Sequence, residues 1–569
     1  MEYAKSKCEY IRSQAKEKFD LVRGSWIEAG RWTLPHRTKW LMGQEDGSRN
    51  NHHIVDPTHV LALRSYVAGF LEGNTSASRP WFRAQHGDPM MNKIEKVKEW
   101  LEIYNRRCLH NLSRSNFYDA AAGFYYDFGV FNTGAYYIDE LPNGRLHFNV
   151  LTPGAYYCLN NGQGVADTLV REFQLPVKTL IDTYARKKDG KWDWSNFSSR
   201  VRKLYENGNY TEKIDVVHIV MRNEHFNMDL PVGGKNRQWV SLSYESAVNV
   251  GYASHVTTAG LGEISSEDQT KYLKITTSKR KPFVVGRSSN SDNFEYGEKG
   301  PTTDSLGLIK SLQKKAIGKD IALDLMLKPP TQGPASLKKS YITNAPNSYV
   351  PLDAQSAAQG GLKQIYQISP AIANLNADVA DLRKMIDRLY YSDFLLYLSN
   401  NPKTRTATEA NAVVQEQQLV IGPNLQSLNW THNDPVLDFI MEYTFDMDPY
   451  LPDAPEELQG ESLRAEYISV FAQAQKAADL PSIDRYVDRM MQVAQLDPSV
   501  FQKLNLDKLA DLYEDRLFLP VGLNNPQSEV DAKREQMEKQ AQRQQMLNET
   551  LPALAGAAKD AGLVKPPGA

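Results

Sequence analysis

Residues 304–327, DSLGLIKSLQKKAIGKDIALDLML, decide how the rest of the chain is read. Leu308, Leu312, Ala316, Leu323 and Met326 recur at helical spacing, Asp304 or Ser305 is expected to cap the start, and Pro329-Pro330 ends the run. The helix would be about 36 Å long at ~1.5 Å per residue. A second apolar stripe begins after Pro370 with Ile372, Leu375, Val379, Leu382, Ile386 and Leu389, and continues to Leu398 before Asn400-Asn401-Pro402 breaks it. That helix would be about 43 Å long. Between them lies an insert, residues 328–369, carrying Pro329, Pro330, Pro334, Pro346 and Pro351 and short runs at 340–342, 348–350 and 362–368. Such short strands bury little alone and would gain most by pairing with a neighbour's strands. Two rods of matched length with a small tip make a stalk, and a stalk leaves apolar surface wet unless other copies cover it. An oligomer is expected.

Composition narrows the rest. A chain of 569 residues has room for about three to five modules. Charged residues are 24% and the formal net charge is −2, so neither a basic nucleic-acid clamp nor an acidic tail protein is indicated. Cys8, Cys108 and Cys158 are far apart and share no C-x-x-C spacing, so a reduced, cytosolic assembly is the expectation. No charged-then-apolar leader and no long uncharged apolar window is found, and neither secretion nor membrane spanning is expected.

In chain order, residues 3–33 place Cys8, Ile11, Ala15, Phe19, Val22 and Trp26 at helical spacing, for one or two amphipathic helices. After a Gly-rich link at 43–51, Asp56-Pro57-Thr58 opens a helix through Leu71. Residues 74–82 are a turn-rich breaker ending in Trp81-Phe82, expected as core anchors. Helices follow over 92–108 and 116–126. The period then shifts toward two: 134–139 and 145–151 form a hairpin around Asn143-Gly144, and 156–159 with 168–173 form a second around 160–164. A short helix at 177–186 and strands at 214–221, 239–244, 272–276 and 283–286 complete a β-rich middle third. Beyond Pro402, a helix starts at Thr406 or Thr408 with Glu409 in its first turn, and Gly422-Pro423 kinks or stops it. Residues 434–518 read as helical, with breaks at 449–455 and Leu480-Pro481; 528–548 is a solvated helix and 552–569 a loose tail.

Chemistry is scarce. No Walker-type phosphate loop, H-E-x-x-H, G-x-S-x-G or Cys/His ligand pairing is present, and Pro301 removes a donor from the Gly297-Glu298-Lys299-Gly300 stretch where a phosphate cradle would need one. His52-His53 reads as loop, and Asp320 and Asp324, at i and i+4, read as a solvated helix face. No catalytic residue, metal site or cofactor is expected.

Several segments together resemble the portal, or head-to-tail connector, proteins of short-tailed, podovirus-like bacteriophages. They are Asp56-Pro57-Thr58, Ser78-Arg79-Pro80-Trp81-Phe82, the run from Asp127 to Gly134, Arg171-Glu172-Phe173, Pro282-Phe283 with Arg287, Tyr296-Gly297, Gly300-Pro301, the Thr406–Glu409 helix start and Gly422-Pro423. The Tyr-Gly to Gly-Pro element is a residue longer than usual, and Ser288 stands where an aromatic is common.

The resemblance implies an α+β, mainly helical portal fold assembled as a cyclic ring of about twelve copies around a channel. Residues 1–300 would be N-terminal helices and a β-rich wing, 301–327 and 370–399 the stem helices, and 328–369 the clip. Residues 400–405 would be the tunnel loop, 406–460 wing helices, 461–548 the crown and 549–569 a flexible tail. Asn400, Asn401, Lys403, Thr404 and Arg405 would face double-stranded DNA without reading its sequence. Lys338, Lys339, Tyr341 and Asn347 would meet partners at the clip. Implied partners are the major capsid protein, a scaffold, the terminase large subunit and tail adaptors, at the head-tail vertex of a virion assembled in the host cytoplasm. Alternatives are another ring-forming head-tail adaptor or a tail-tube protein, and, less well matched, a DNA-processing enzyme.

Overall fold

The structure, a computed structural model, describes residues 3–43, 51–88, 90–188, 191–234, 236–246, 270–288, 294–327, 331–332, 355, 358, 363–364, 372–392, 421–458, 463–468, 480–494, 505–517, 530 and 532–544. It is α+β and mainly helical, and divides into two compact units, Met1–Phe471 and Ala472–Ala569.

The first unit opens with one continuous helix, Lys5–Thr33. Its buried face carries Cys8, Ala15, Phe19 and Trp26 at the expected spacing. Phe19 and Trp26 meet Tyr296 edge-on at 5.4 and 5.5 Å, and Trp26 lies 5.1 Å from Phe131. Edge-on contact sets the positive ring edge against a negative face. Arg12, on the same helix, is buried against Glu172 at 2.6 Å and also donates to Ser246. The helices Thr58–Gly73, Glu95–Arg114 and Phe117–Phe131 follow. The last two run longer than the periodicity indicates, taking in the buried Leu112 and the buried run from Phe128 to Phe131.

Two antiparallel sheets occupy the middle. One has five strands in the order Lys274–Ser278, Trp239–Glu245, Lys213–Arg222, Ala166–Pro176, Tyr156–Asn160; the other has three, Phe283–Arg287, Thr133–Glu140, Leu146–Val150. Both expected hairpins form, and Gly144 takes the left-handed φ of +69° that its turn requires. A satellite core of Val177, Leu180, Ile181, Phe197 and Val201 sits on the larger sheet.

Three sequence expectations are corrected. The first long helix is Pro301–Leu327, and neither Asp304 nor Ser305 caps it: the Asp304 N–H donates to Gly300 O, while Ser305 Oγ turns back onto Pro301 O. Proline at the first helical position loses no bond, since that N–H has no partner inside a helix. The second described helix, Ile372–Leu389, does not run on to Leu398, because Tyr390 leaves the helix and Tyr391 has φ +55°. Gly422-Pro423 lies in the first described turn of a helix over 421–428, the residues before it being outside the described ones, and this helix passes through a π-turn at Asn429–Asn433 into the helix Asp434–Met447. Leu463–Tyr467, expected as helix, is a strand paired antiparallel with Phe82–His86.

That last pairing joins segments far apart in sequence and covers Trp81, which is fully buried, with Ile468 N donating to Trp81 O at 3.0 Å. In the insert, Thr331–Gln332 pairs within the chain with Lys363–Gln364. In the second unit the helix Leu480–Ala494 begins at Leu480-Pro481, where a break was expected, and Leu506–Leu517 follows; Tyr513 donates to Asp484.

Trp81→Ala should lower stability by about 3–5 kcal/mol, the usual cost of emptying a large aromatic site. Glu172→Ala, which leaves the buried Arg12 guanidinium only the partly exposed Glu9 as a counter-charge, should also destabilise, by less than the ~3–5 kcal/mol of a fully broken buried pair. Urea denaturation of the purified chain reads both.

Candidate functional site

Three of the segments that carry the resemblance, Asp56-Pro57-Thr58, Asp127 to Gly134 and Tyr296 to Pro301, meet the two long helices near where these leave the body. The helix Phe117–Phe131 stops at Asn132, which adopts the left-handed conformation, φ 59° and ψ 8°. Asparagine tolerates this conformation at helix ends. Turned this way, its carbonyl accepts from Ser288 N at 2.9 Å, and its side-chain amide donates to Glu298 O at 3.2 Å and Thr303 Oγ1 at 2.7 Å. Gly297 N donates to Thr133 Oγ1 at 2.9 Å. A Cβ on Gly297 would fall 2.2 Å from Asn132 O, and one on Gly300 1.9 Å from Asn132 Oδ1. Both glycines are therefore required by close approach, which is the physical content of the Tyr-Gly to Gly-Pro element.

In the same first turn, Thr302 Oγ1 donates to Gly129 O at 2.7 Å. A hydroxyl has one proton, so the 2.7 Å contact with Tyr390 is donated by the tyrosine. The base of the first long helix and the end of the second are thus joined at one hydroxyl, which itself donates to the Gly129 carbonyl.

A second tie lies about three turns along. Asp56 Oδ1 accepts from Thr58 N at 3.0 Å and Thr58 Oγ1 at 2.6 Å, while Oδ2 accepts from Arg383 Nε at 3.0 Å and Nη2 at 2.8 Å. Gln313 Oε1 accepts from the N–H groups of Val55 and Asp56, and its amide donates to Asp56 O at 2.8 Å. Gln313 belongs to the first long helix and Arg383 to the second, so the Asp56-Pro57-Thr58 turn grips both. The Asp56 side chain is 3% exposed, and burial raises its pKa. The bonds from Thr58 and Arg383 outweigh burial and hold the carboxyl below the ordinary range.

Behind these ties the π-turn contributes a buried polar chain. His432 Nδ1 is 2.6 Å from Asn433 Oδ1 and Nε2 is 3.0 Å from Tyr136 OH, while its ring stacks on Phe124 at 4.1 Å. Burial pulls His432 down to about 4, so it is neutral, with Nδ1 donating and Nε2 accepting. Asn433 donates to Asn74 Oδ1 at 3.0 Å, and Asn74 donates to Tyr125 OH at 3.0 Å. Gly134 and Gly286 face each other across the three-stranded sheet, and a Cβ on either would strike Phe124.

Asn400, Asn401, Lys403, Thr404 and Arg405, with Lys338, Lys339, Tyr341 and Asn347, lie outside the described residues. The sequence reading marked the run containing Asn132 without giving that residue a role, and passed over Gln313, Arg383 and Tyr390. Gln313 left a signal, as a polar residue on the face that Ile309 and Leu312 bury. Asn132, between an aromatic helix end and Thr133-Gly134, left another. Among the described residues no cluster of three His, Cys, Asp or Glu could hold a metal, and no helix is long and apolar enough to cross a membrane. Asp320 and Asp324 are exposed.

Asp56→Asn tests the second tie. A depressed carboxyl pKa contributes stability that is fully present above the unfolded value, about 4, and is lost as pH falls through the folded one. Asp56→Asn should therefore be less stable than the parent at pH 7 and converge with it near pH 2, read from urea midpoints at both pH values.

Comparison with known proteins places this architecture. The family model described as "Bacteriophage head to tail connecting protein" matches residues 5–522. The chain is 29% identical over 537 residues to a "Portal protein" of Salmonella phage epsilon15, covering 94% of this chain and 91% of that protein. It is 29% identical over 523 residues to a "Probable portal protein" of Bordetella phage BPP-1, covering 91% and 88%. A chain of the solved "Virion of native gene transfer agent (GTA) particle" covers 86% of this chain and 99% of its own length, but at TM-score 0.35 and 9% identity it carries no weight here. With the match running from the first helix into the second compact unit, the chain belongs to the bacteriophage head-to-tail connecting protein family.

Proposed function

We propose that the chain is a portal subunit, about twelve copies of which stand side by side around a channel at one capsid vertex. The observation that carries this is the first long helix. Near its base Ile309, Leu312 and Gln313 are buried, but toward its far end Ile317 is 42% exposed, Ile321 53% and Leu327 78%. Apolar side chains repeating along a regular helix without cover are an unfinished interface. The second helix covers only one side, through Val379, Ile386 and the Lys315–Asp378 pair at 3.2 Å. A neighbouring copy in a head-to-tail ring would cover the other, and such a contact closes only with rotational symmetry.

In this reading Pro301–Leu327 and the helix from 370 onward are the stem, 328–369 the clip, 400–405 the tunnel loop, and 461–548 the crown. The ties at Asn132 and Asp56 would fix the angle at which each stem leaves the wing, and so the shape of the channel. DNA would pass through during packaging by a terminase docked on the clip and later during ejection, and tail adaptors would replace the terminase. Lys338, Lys339, Tyr341 and Asn347 are the proposed clip contacts. Lys403 and Arg405, with Asn400, Asn401 and Thr404, would form a sparse ring around the duplex. A near-neutral chain suits passage, since each neutralised phosphate strengthens binding and would slow sliding. The role is structural, in the virion, with the capsid protein as the surrounding partner.

Ile321→Asp should leave the monomer folded and abolish rings in negative-stain images and mass measurements. Persistence of rings would overturn the stem assignment. Lys403→Ala with Arg405→Ala should keep ring assembly and reduce retention of packaged DNA, measured as nuclease-resistant genomes; unchanged retention would remove the tunnel-loop role.

A further inference from the structure

Arg287, one of the residues that carries the family resemblance, takes part in neither tie. The strand Phe283–Arg287 extends the segment Lys281-Pro282, and period-two alternation sends Lys281, Val285 and Arg287 to one face. All three line a surface cavity of about 20 Å³, together with Ala166, Glu295 and, at its rim, the 64% exposed Trp430. That is room for one water or a monatomic ion.

The charges around the cavity do not cancel. Lys281 donates to Ala166 O, and Arg287 donates to Phe294 O and Gly164 O. These neutral acceptors satisfy one hydrogen bond on the ammonium and two on the guanidinium, of three and five available. Neither cation forms an ion pair among the described residues. Glu295 lies 3.9 Å from the half-exposed Lys18 ammonium. Burial pulls Lys281 down to about 8; Asp167 opposes this, and the nearby Arg222 and Arg287 add to it. Two cations therefore share this surface cavity with one carboxylate, which the half-exposed Lys18 also approaches. A buried charge without a counter-charge is costly, and a small anion entering here would remove that cost.

We propose that this cavity binds one small monovalent anion facing the Lys281 ammonium and the Arg287 guanidinium. A halide from solution and the carboxylate tip of an acidic side chain from a second copy meet the same requirement of charge and size. In the second case the anion completes a contact between subunits, and that branch alone rests on the portal reading.

The test uses the full chain. Thermal unfolding is followed as chloride replaces isethionate, an anion too large for the cavity, at constant ionic strength, in the parent and in Lys281→Met. A saturable rise in midpoint with chloride, lost in Lys281→Met, is expected. Crystals or assembled particles in bromide then locate the ion by anomalous scattering, which decides the matter even where Lys281→Met fails to fold. A bromide peak in the cavity assigns a free-ion site. A neighbour's Asp or Glu there, with chloride dependence confined to dissociated protein, assigns an interface site. Identical midpoints in both salts, with only water in the cavity, would overturn the proposal, and neither result would alter the ring test of the stem.

Discussion

The architecture depends on how two long helices are anchored to the body along their inner parts. A helix held only at one end acts as a lever, so a small rotation at its base becomes a large displacement at its tip. Two groups of bonds resist that rotation. At the base, Asn132 turned into the left-handed region occupies space that any side chain on Gly297 or Gly300 would need. Further out, the Asp56 carboxylate and backbone hold Arg383 of one helix and Gln313 of the other. Neither group involves bulk hydrophobic burial. Each is directional, and direction is what fixing an angle requires.

The body can supply such bonds because it is itself strongly cross-linked. Phe124 lies between Gly134, Gly286 and the His432 ring, so the helix Phe117–Phe131, the three-stranded sheet and the π-turn share one contact point. The neutral His432 continues this through Asn433 to Asn74 at the end of Thr58–Gly73. A fully bonded buried chain of this kind has one satisfied arrangement, and every slip leaves a polar group unpaired. The rigidity of the body and the aim of the helices follow from the same residues.

Burial along the first long helix changes partway up. Thr302, Ser305, Ile309, Leu312 and Gln313 face the body, whereas Ile317, Ile321, Met326 and Leu327 face water. The anchored part is stabilised within one chain. The outer part has apolar residues whose burial must come from elsewhere, and this ties the fold to the proposed ring more directly than any charge pattern does.

Local pattern in the sequence was enough to place most helices and both hairpins, because periods of 3.6 and 2 and an Asn-Gly turn are properties of neighbouring residues. It was also enough to mark Asp56-Pro57-Thr58, Asp127 to Gly134 and Tyr296 to Pro301 as segments of interest, without saying that they meet. Tertiary structure decided what depends on distant partners: the strand Leu463–Tyr467, which exists because Phe82–His86 offers it an edge; the π-turn, shaped around His432; and the end of the second helix at Leu389, where Tyr390 turns to donate to Thr302. Asn132, Gln313 and Arg383 take their roles from groups more than 150 residues away along the chain in every tie described. Sequence periodicity reports which face of an element is apolar, but a hydrogen bond needs two named atoms in one place, and only the folded chain brings them there.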